Sequence, residues 1–157
     1  MALHIRPDDL RDPCVVLFLE EHLADMRRVS PPECVHALDL AALRRPEIRF
    51  WCGWLDDAGD ETLVATAALK RLDAGHAELK SMRTAPALRG QGVARHLLAH
   101  VLAHARAQGV RRLSLETGVP AFFAPAHRLY LASGFVDCGP FGDYRPDPFS
   151  RFMSLAL

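Results

Sequence analysis

The sequence predicts an α/β fold: a mixed, mostly antiparallel central sheet of six to seven strands with about four helices. Three observations carry this reading. Stretches with a two-residue hydrophobic period between residues 48 and 84 are separated only by short turns, which makes an antiparallel meander. A glycine-containing turn at residues 89–94 then opens into a long amphipathic helix, so the strand after that helix returns through a crossover and lies parallel to the one before the turn. The 157 residues, half of them hydrophobic, suffice for a single domain spanning 1–157 with one substantial core.

Residues 2–6 read as the first strand. Asp12 followed by Pro13 supplies an N-cap and a first helical residue, and Val15, Leu17, Phe18, Leu19, Leu23 and Met26 form the apolar side of the helix that follows. Ser30-Pro31-Pro32-Glu33 has the form of a capping box and predicts a second short helix beginning there. Ile48, Phe50, Cys52 and Trp54 alternate with Arg49, Trp51 and Gly53, which marks a strand ending in the turn at 56–60. The next strand covers about 62–72, and Asp73-Ala74-Gly75 connects it to a strand over 76–84. After the glycine turn, Val93, Leu97, Leu98, Val101, Leu102 and Ala105 give a buried helical stripe, with Gly109 as its stop. A strand over 110–117, a helix over 120–132 and strands at 135–138 and 152–157 complete the chain, the last two joined by a Gly/Pro/Asp-rich loop.

Charge and cysteine usage narrow the function. Nineteen Lys and Arg match nineteen Asp and Glu, so no overall basic field exists to draw nucleic acid or an anionic membrane surface. No apolar run approaches the roughly 20 residues that span a bilayer. Cys14, Cys34, Cys52 and Cys138 are scattered without metal-ligand spacing or an apolar leader, which points to reduced thiols, a cytoplasmic protein and no metal. His96, His100 and His104 fall on one line of the long helix, opposite its apolar stripe, and read as a solvated face.

The turn at 89–94 is built to hold phosphate. Gly90 and Gly92 let the backbone approach a ligand, the first amides of the next helix have no partner within it, and Arg89 and Arg95 add positive charge. The run lacks G-x-G-x-x-G and lacks Gly-Lys-Ser/Thr, which excludes the Rossmann and Walker phosphate loops. What remains is Arg-x-x-Gly-x-Ala at Arg89, Gly92 and Ala94. That spacing resembles the acyl-CoA pyrophosphate loop of the GNAT superfamily of N-acetyltransferases. Residues 126–135, Ala-x-x-Leu-Tyr-x-x-x-Gly-Phe, resemble the late helix of the same superfamily, in the expected order.

The resemblance implies acetyl-CoA as co-substrate, bound by Met82, Thr84, Arg89, Gly90, Gln91, Gly92, Val93, Ala94 and Arg95, with no metal. It implies splayed parallel strands at the cofactor cleft, where the Met82 amide bonds the acetyl carbonyl and Thr84 continues the ladder. Tyr130 matches the general acid, a phenol protonated at neutral pH that donates to the leaving thiolate. Glu78 matches the general-base glutamate of some members; four residues before Met82, it shares a face with it at about 13 Å under strict alternation. A solvated glutamate paired with Lys80 is the plainer reading. Where many members carry an asparagine, this chain has Phe123, so Phe122 and Phe123 either pack on the cofactor arm or anchor the core. Asp39 and Glu116 are the candidates for holding the acceptor, a primary amine of a small molecule or amino acid, and each equally suits a cap or turn. Phe50, Trp51 and Trp54 line the acceptor pocket or the core. The resemblance allows a homodimer through the late strands. The alternative to an enzyme is a non-catalytic CoA-binding sensor or interaction module.

Overall fold

A computed structural model describes residues 2–36 and 39–157 of the chain. The described residues form one seven-stranded sheet from β1 (Ala2–Pro7), β2 (Ile48–Asp57), β3 (Asp60–Arg71), β4 (His76–Thr84), β5 (Arg112–Gly118), β6 (Val136–Asp137) and β7 (Ser150–Ala156). The spatial order is β1-β2-β3-β4-β5-β7-β6, and every neighbouring pair is antiparallel except β4 with β5. Helices α1 (Pro13–Val29), α2 (Leu40–Leu43), α3 (Val93–Ala107) and α4 (Ala124–Ala132) accompany the sheet.

Local chemistry explains most boundaries. The Asp12 carboxylate accepts from the Cys14 amide at 2.9 Å and starts α1. β2 turns into β3 through Ala58 and Gly59, both at positive φ, the geometry that a two-residue hairpin requires. The parallel β5 is reached through α3, as the crossover argument requires.

The core lies on both faces of the sheet. One cluster joins Val93, Leu97, Leu98, Val101 and Ala105 of α3 to Trp51, Ala67, Leu79, Leu113 and Met153 of the strands. The other joins Val15, Phe18 and Leu19 of α1 and Leu43 of α2 to Phe50, Cys52, Trp54, Leu63 and Ala68. Adjacent residues of β2 thus serve opposite faces, as alternation dictates, and each fully buried aliphatic side chain contributes about 1.5–3 kcal/mol. The aromatic strand is therefore core.

Three local expectations are corrected. Ser30 caps the C-terminus of α1, its amide donating to Met26 O at 3.1 Å, instead of opening a helix. The prolines after it support only a three-residue 3-10 turn with no side-chain cap, and the next helix begins at Leu40. Leu17 is exposed, because one helical step separates it from the face carrying Phe18. The histidine line of α3 is partly packed: the His100 and His104 rings meet the buried Trp51 edge-on at 5.9 and 5.0 Å, and burial lowers the His104 pKa.

Candidate active site

The site arises where two strands part. β4 and β5 pair only from His76↔Arg112 to Leu79↔Leu115, although β4 continues to Thr84 and β5 to Gly118. From Lys80 onward the β5-facing edge of β4 has no strand partner among the described residues. A bulge sharpens the departure: the β3 register slips between Thr66 and Ala68, placing Ser81 and Met82 opposite Ala67. Ser81 adopts φ 52°, uncommon for a residue with a Cβ, and the buried Thr66 hydroxyl donates to its carbonyl at 2.9 Å.

The bulge corrects the strict alternation expected of β4. By the slipped register, Arg83 continues the face of Glu78 and Lys80, and Met82 packs with the cluster under α3. Both Glu78 and Met82 nevertheless line one cleft, because the bulge lies at the point where the strands separate.

Two cavities occupy this gap. The larger, about 340 Å³, runs from Met82 and Thr84 past the glycine turn to α4, and Arg89, Gly90, Gly92, Val93, Ala94 and Arg95 all line it. The exposed Gln91 does not; its amide donates to Ala87 O at 3.4 Å. Gly92 stands at φ 84° as the N-cap of α3, a left-handed conformation that glycine adopts without strain, and the first α3 amides follow. Arg89, Arg95 and Arg128 also line this cavity, and among the described residues none is ion-paired. The Arg89 guanidinium lies 5.7 Å from the centre of the Phe122 ring.

The smaller cavity, about 80 Å³, reaches toward α1 and the segment before α2, and is lined by Glu78, Lys80, Glu116, His36 and Met26 among others. His22, Met82, Phe123, Ala126 and Tyr130 line both cavities, so the two meet at these residues. Tyr130 is buried; its desolvation, and then the nearby Glu116, push the phenol further up, so it stays protonated at neutral pH. Burial also raises the Glu116 carboxyl pKa. Phe123 serves as a core anchor and as cavity wall at once.

Glu78 is 3% exposed and is held by two donors on one oxygen: Lys80 Nζ at 3.1 Å and the Tyr144 hydroxyl at 2.5 Å. The pairing with Lys80 is the plainer of the two sequence readings, here in a buried setting. Lys80 Nζ also donates to the His36 carbonyl at 3.3 Å and contacts Tyr144 Oη at 2.9 Å. Asp39 lines neither cavity. Its carboxylate accepts from the Ala42 amide at 2.9 Å and caps α2, the second use its position allowed.

Residues 16–135 match the Acetyltransferase (GNAT) family. The chain belongs to the GNAT acetyltransferases. It is 50% identical to the uncharacterized N-acetyltransferase YedL of Escherichia coli strain K12, over 98% of this chain and 94% of that one. It is 49% identical to the uncharacterized N-acetyltransferase YsnE of Bacillus subtilis strain 168, over 99% of this chain and 100% of that one. Its fold is shared with a GNAT acetyltransferase from Elizabethkingia anophelis solved with acetyl-CoA bound, at TM-score 0.66 and 18% identity, covering 99% and 98% of the two chains. The glycine turn and the α4 segment, both within the matched residues of this GNAT chain, line the larger cavity.

Tyr144, His22 and Arg83 escaped the sequence reading. Tyr144 lies in the loop before β7, where no periodicity signals contact with Glu78, 66 positions away. His22 is four residues after Phe18 and four before Met26, so its helical spacing placed it on the inward face. Arg83 is buried on the Phe18 ring and donates to Asp25 at 2.7 Å. Burial, and then Arg83, lower the His22 pKa from 6.5 to about 4, so its folded state refuses a proton that the unfolded chain accepts. The stability that His22 contributes is therefore fully present above pH 6.5 and is lost as pH drops toward 4. Thermal unfolding as a function of pH checks this: His22→Gln is expected to flatten the loss across that window, and an unchanged slope contradicts it.

Proposed function

We propose that this protein transfers the acetyl group of acetyl-CoA to a primary amine of a small molecule by direct attack. The observation that supports this most is the meeting of the two cavities at Met82 and Tyr130, one cavity lined by helix-start residues and by Arg89, Arg95 and Arg128, which have no ion-pair partner among the described residues, the other by carboxylates.

The lining fits a diphosphate. Arg89, Arg95 and Arg128 are unpaired among the described residues and line the cavity into which the N-terminus of α3 opens, where amides and helix dipole favour an anion. Bound there, acetyl-CoA supplies the activated acetyl group. The residues around the junction do the rest. The Met82 amide, at the bulge, stabilises negative charge growing on the carbonyl oxygen. Thr84 extends the β4 edge toward the pantetheine arm. Tyr130 delivers a proton to the sulfur as the carbon–sulfur bond breaks, which its protonated state permits. The carboxylates of the smaller cavity, Glu78 and Glu116, receive the amine.

The test is thiol release from acetyl-CoA across a panel of primary amines. Turnover with at least one amine is expected. Tight acetyl-CoA binding with no thiol released by any amine would instead favour a CoA sensor.

A further inference from the structure

The smaller cavity carries a charge balance that selects its occupant, and the assignment of that occupant as an acetyl acceptor rests on the acetyltransferase reading. Among its lining residues, Lys80 is matched by Glu78 at 3.1 Å, and its ammonium has two further partners in Tyr144 and the His36 carbonyl. The His36 ring faces Asp147 at 3.5 Å, so any positive charge on it is matched from the loop before β7. Arg83, which lines the larger cavity, is matched by Asp25 at 2.7 Å. His22 stays neutral across the working range because its pKa is held near 4. Glu116 differs: among the described residues no cation is ion-paired with it. The titratable groups near enough to interact with it electrostatically are Glu78 and Lys80 from β4, Tyr130 from α4, Tyr144 from the loop before β7, and Cys34 and His36 from the segment after α1. Beside it the buried Ser150 hydroxyl lacks a partner at hydrogen-bonding geometry and adds no charge.

We propose that the acceptor is a compact amine with one positive charge and no carboxylate, and that Glu116, not Glu78, anchors its ammonium and takes its proton. Among the described lining residues one carboxyl, Glu116, has no ion-pair partner, so an ammonium balances it when ionised. A zwitterionic amino acid brings a second carboxylate into a space where every cation is already engaged, and like charges in a desolvated site are strongly unfavourable. Glu78 has committed one oxygen to two donors, whereas Glu116 stands on β5 just beyond Leu115, the last residue of that strand paired with β4. Glu116 and Tyr130 line the same cavity, close enough that the carboxylate raises the phenol's pKa, so proton acceptor and proton donor share one site. The steps balance. Glu116 takes one proton from the ammonium and passes it to solvent; the free amine forms the carbon–nitrogen bond as the carbon–sulfur bond breaks. Tyr130 protonates the sulfur and recovers its proton from the acylated nitrogen. The products are the amide, CoA thiol and one proton released.

Matched triplets test this: an amino acid, its amide, and the amine left when the carboxylate is removed, for instance alanine, alaninamide and ethylamine, repeated for an aromatic and an imidazole side chain. Acetyl-CoA affinity is measured separately by calorimetry. In the wild type, the amide or the simple amine is expected to exceed the free amino acid by about tenfold or more in kcat/KM. Glu116→Gln is expected to lower kcat/KM for those amines by about 100-fold and to remove the acid limb of its pH profile, with acetyl-CoA affinity unchanged. Glu116→Asp should restore part of that limb. Preference for the free amino acid in every triplet overturns the proposal. So does an acid limb that survives in Glu116→Gln but disappears in Glu78→Gln. If Glu116→Gln fails to fold, the wild-type triplets and Glu116→Asp decide. Acetyl-CoA binding with no triplet member acetylated overturns this proposal alone, whereas absence of acetyl-CoA binding overturns the acetyltransferase reading with it.

Discussion

Replacing Tyr130 by phenylalanine is expected to lower kcat by about 100- to 10,000-fold while leaving acetyl-CoA affinity within about twofold. The substitution removes one oxygen and keeps the ring, so the contacts of Tyr130 with Phe135, 5.6 Å between centroids, survive and folding is preserved. Tyr130 lines both cavities, so the oxygen is removed from the wall of their junction. Without its proton, the sulfur leaves as a bare thiolate in a site where Glu116 already stands nearby, and the barrier rises accordingly. Steady-state thiol release paired with calorimetry separates the two effects. A loss of affinity equal to the loss in kcat/KM would mean that Tyr130 is only wall.

The second large effect is expected at Gly118, the last residue of β5. A Cβ there would lie within 2.7 Å of three atoms of the Phe123 ring, so Gly118→Ala forces the ring to move. Such overpacking costs about 1–3 kcal/mol, and the melting temperature should fall by roughly 2–4 °C for each kcal/mol. Because Phe123 lines both cavities, its displacement also disturbs the junction, and kcat/KM is expected to drop by about 10- to 100-fold. The double substitution Gly118→Ala/Phe123→Leu should recover much of the stability, since leucine leaves room for the added methyl. A melting temperature unchanged in Gly118→Ala would show that the ring yields without cost.

These two positions mark where the sequence was informative and where it was not. Tyr130 and the turn from Arg89 to Arg95 were legible because helix stripes and glycine turns are local patterns: the apolar side of α3 was read correctly from Val93 to Ala105. The hairpins and the crossover to a parallel β5 were legible for the same reason. The requirement for glycine at 118 was not, because it comes from a ring packed against it from the turn after β5. The bulge at Ser81 was likewise hidden: serine carries no signal for positive φ, and the Thr66 hydroxyl that braces it comes from another strand. Glu78 illustrates the wider point. Its position on the strand was predictable, but its hold by Tyr144 depends on where a loop 66 residues away comes to rest, which no spacing encodes.

The central claim is that the backbone and guanidiniums around Gly90 and Gly92 grip the diphosphate of coenzyme A. Calorimetric titration of the pure protein with acetyl-CoA, and in parallel with acetyl-pantetheine, which lacks the diphosphate, tests it most directly. The account predicts saturable binding of acetyl-CoA and affinity for acetyl-pantetheine weaker by roughly 100-fold or more. No heat with acetyl-CoA, or equal affinity for the two, would contradict it.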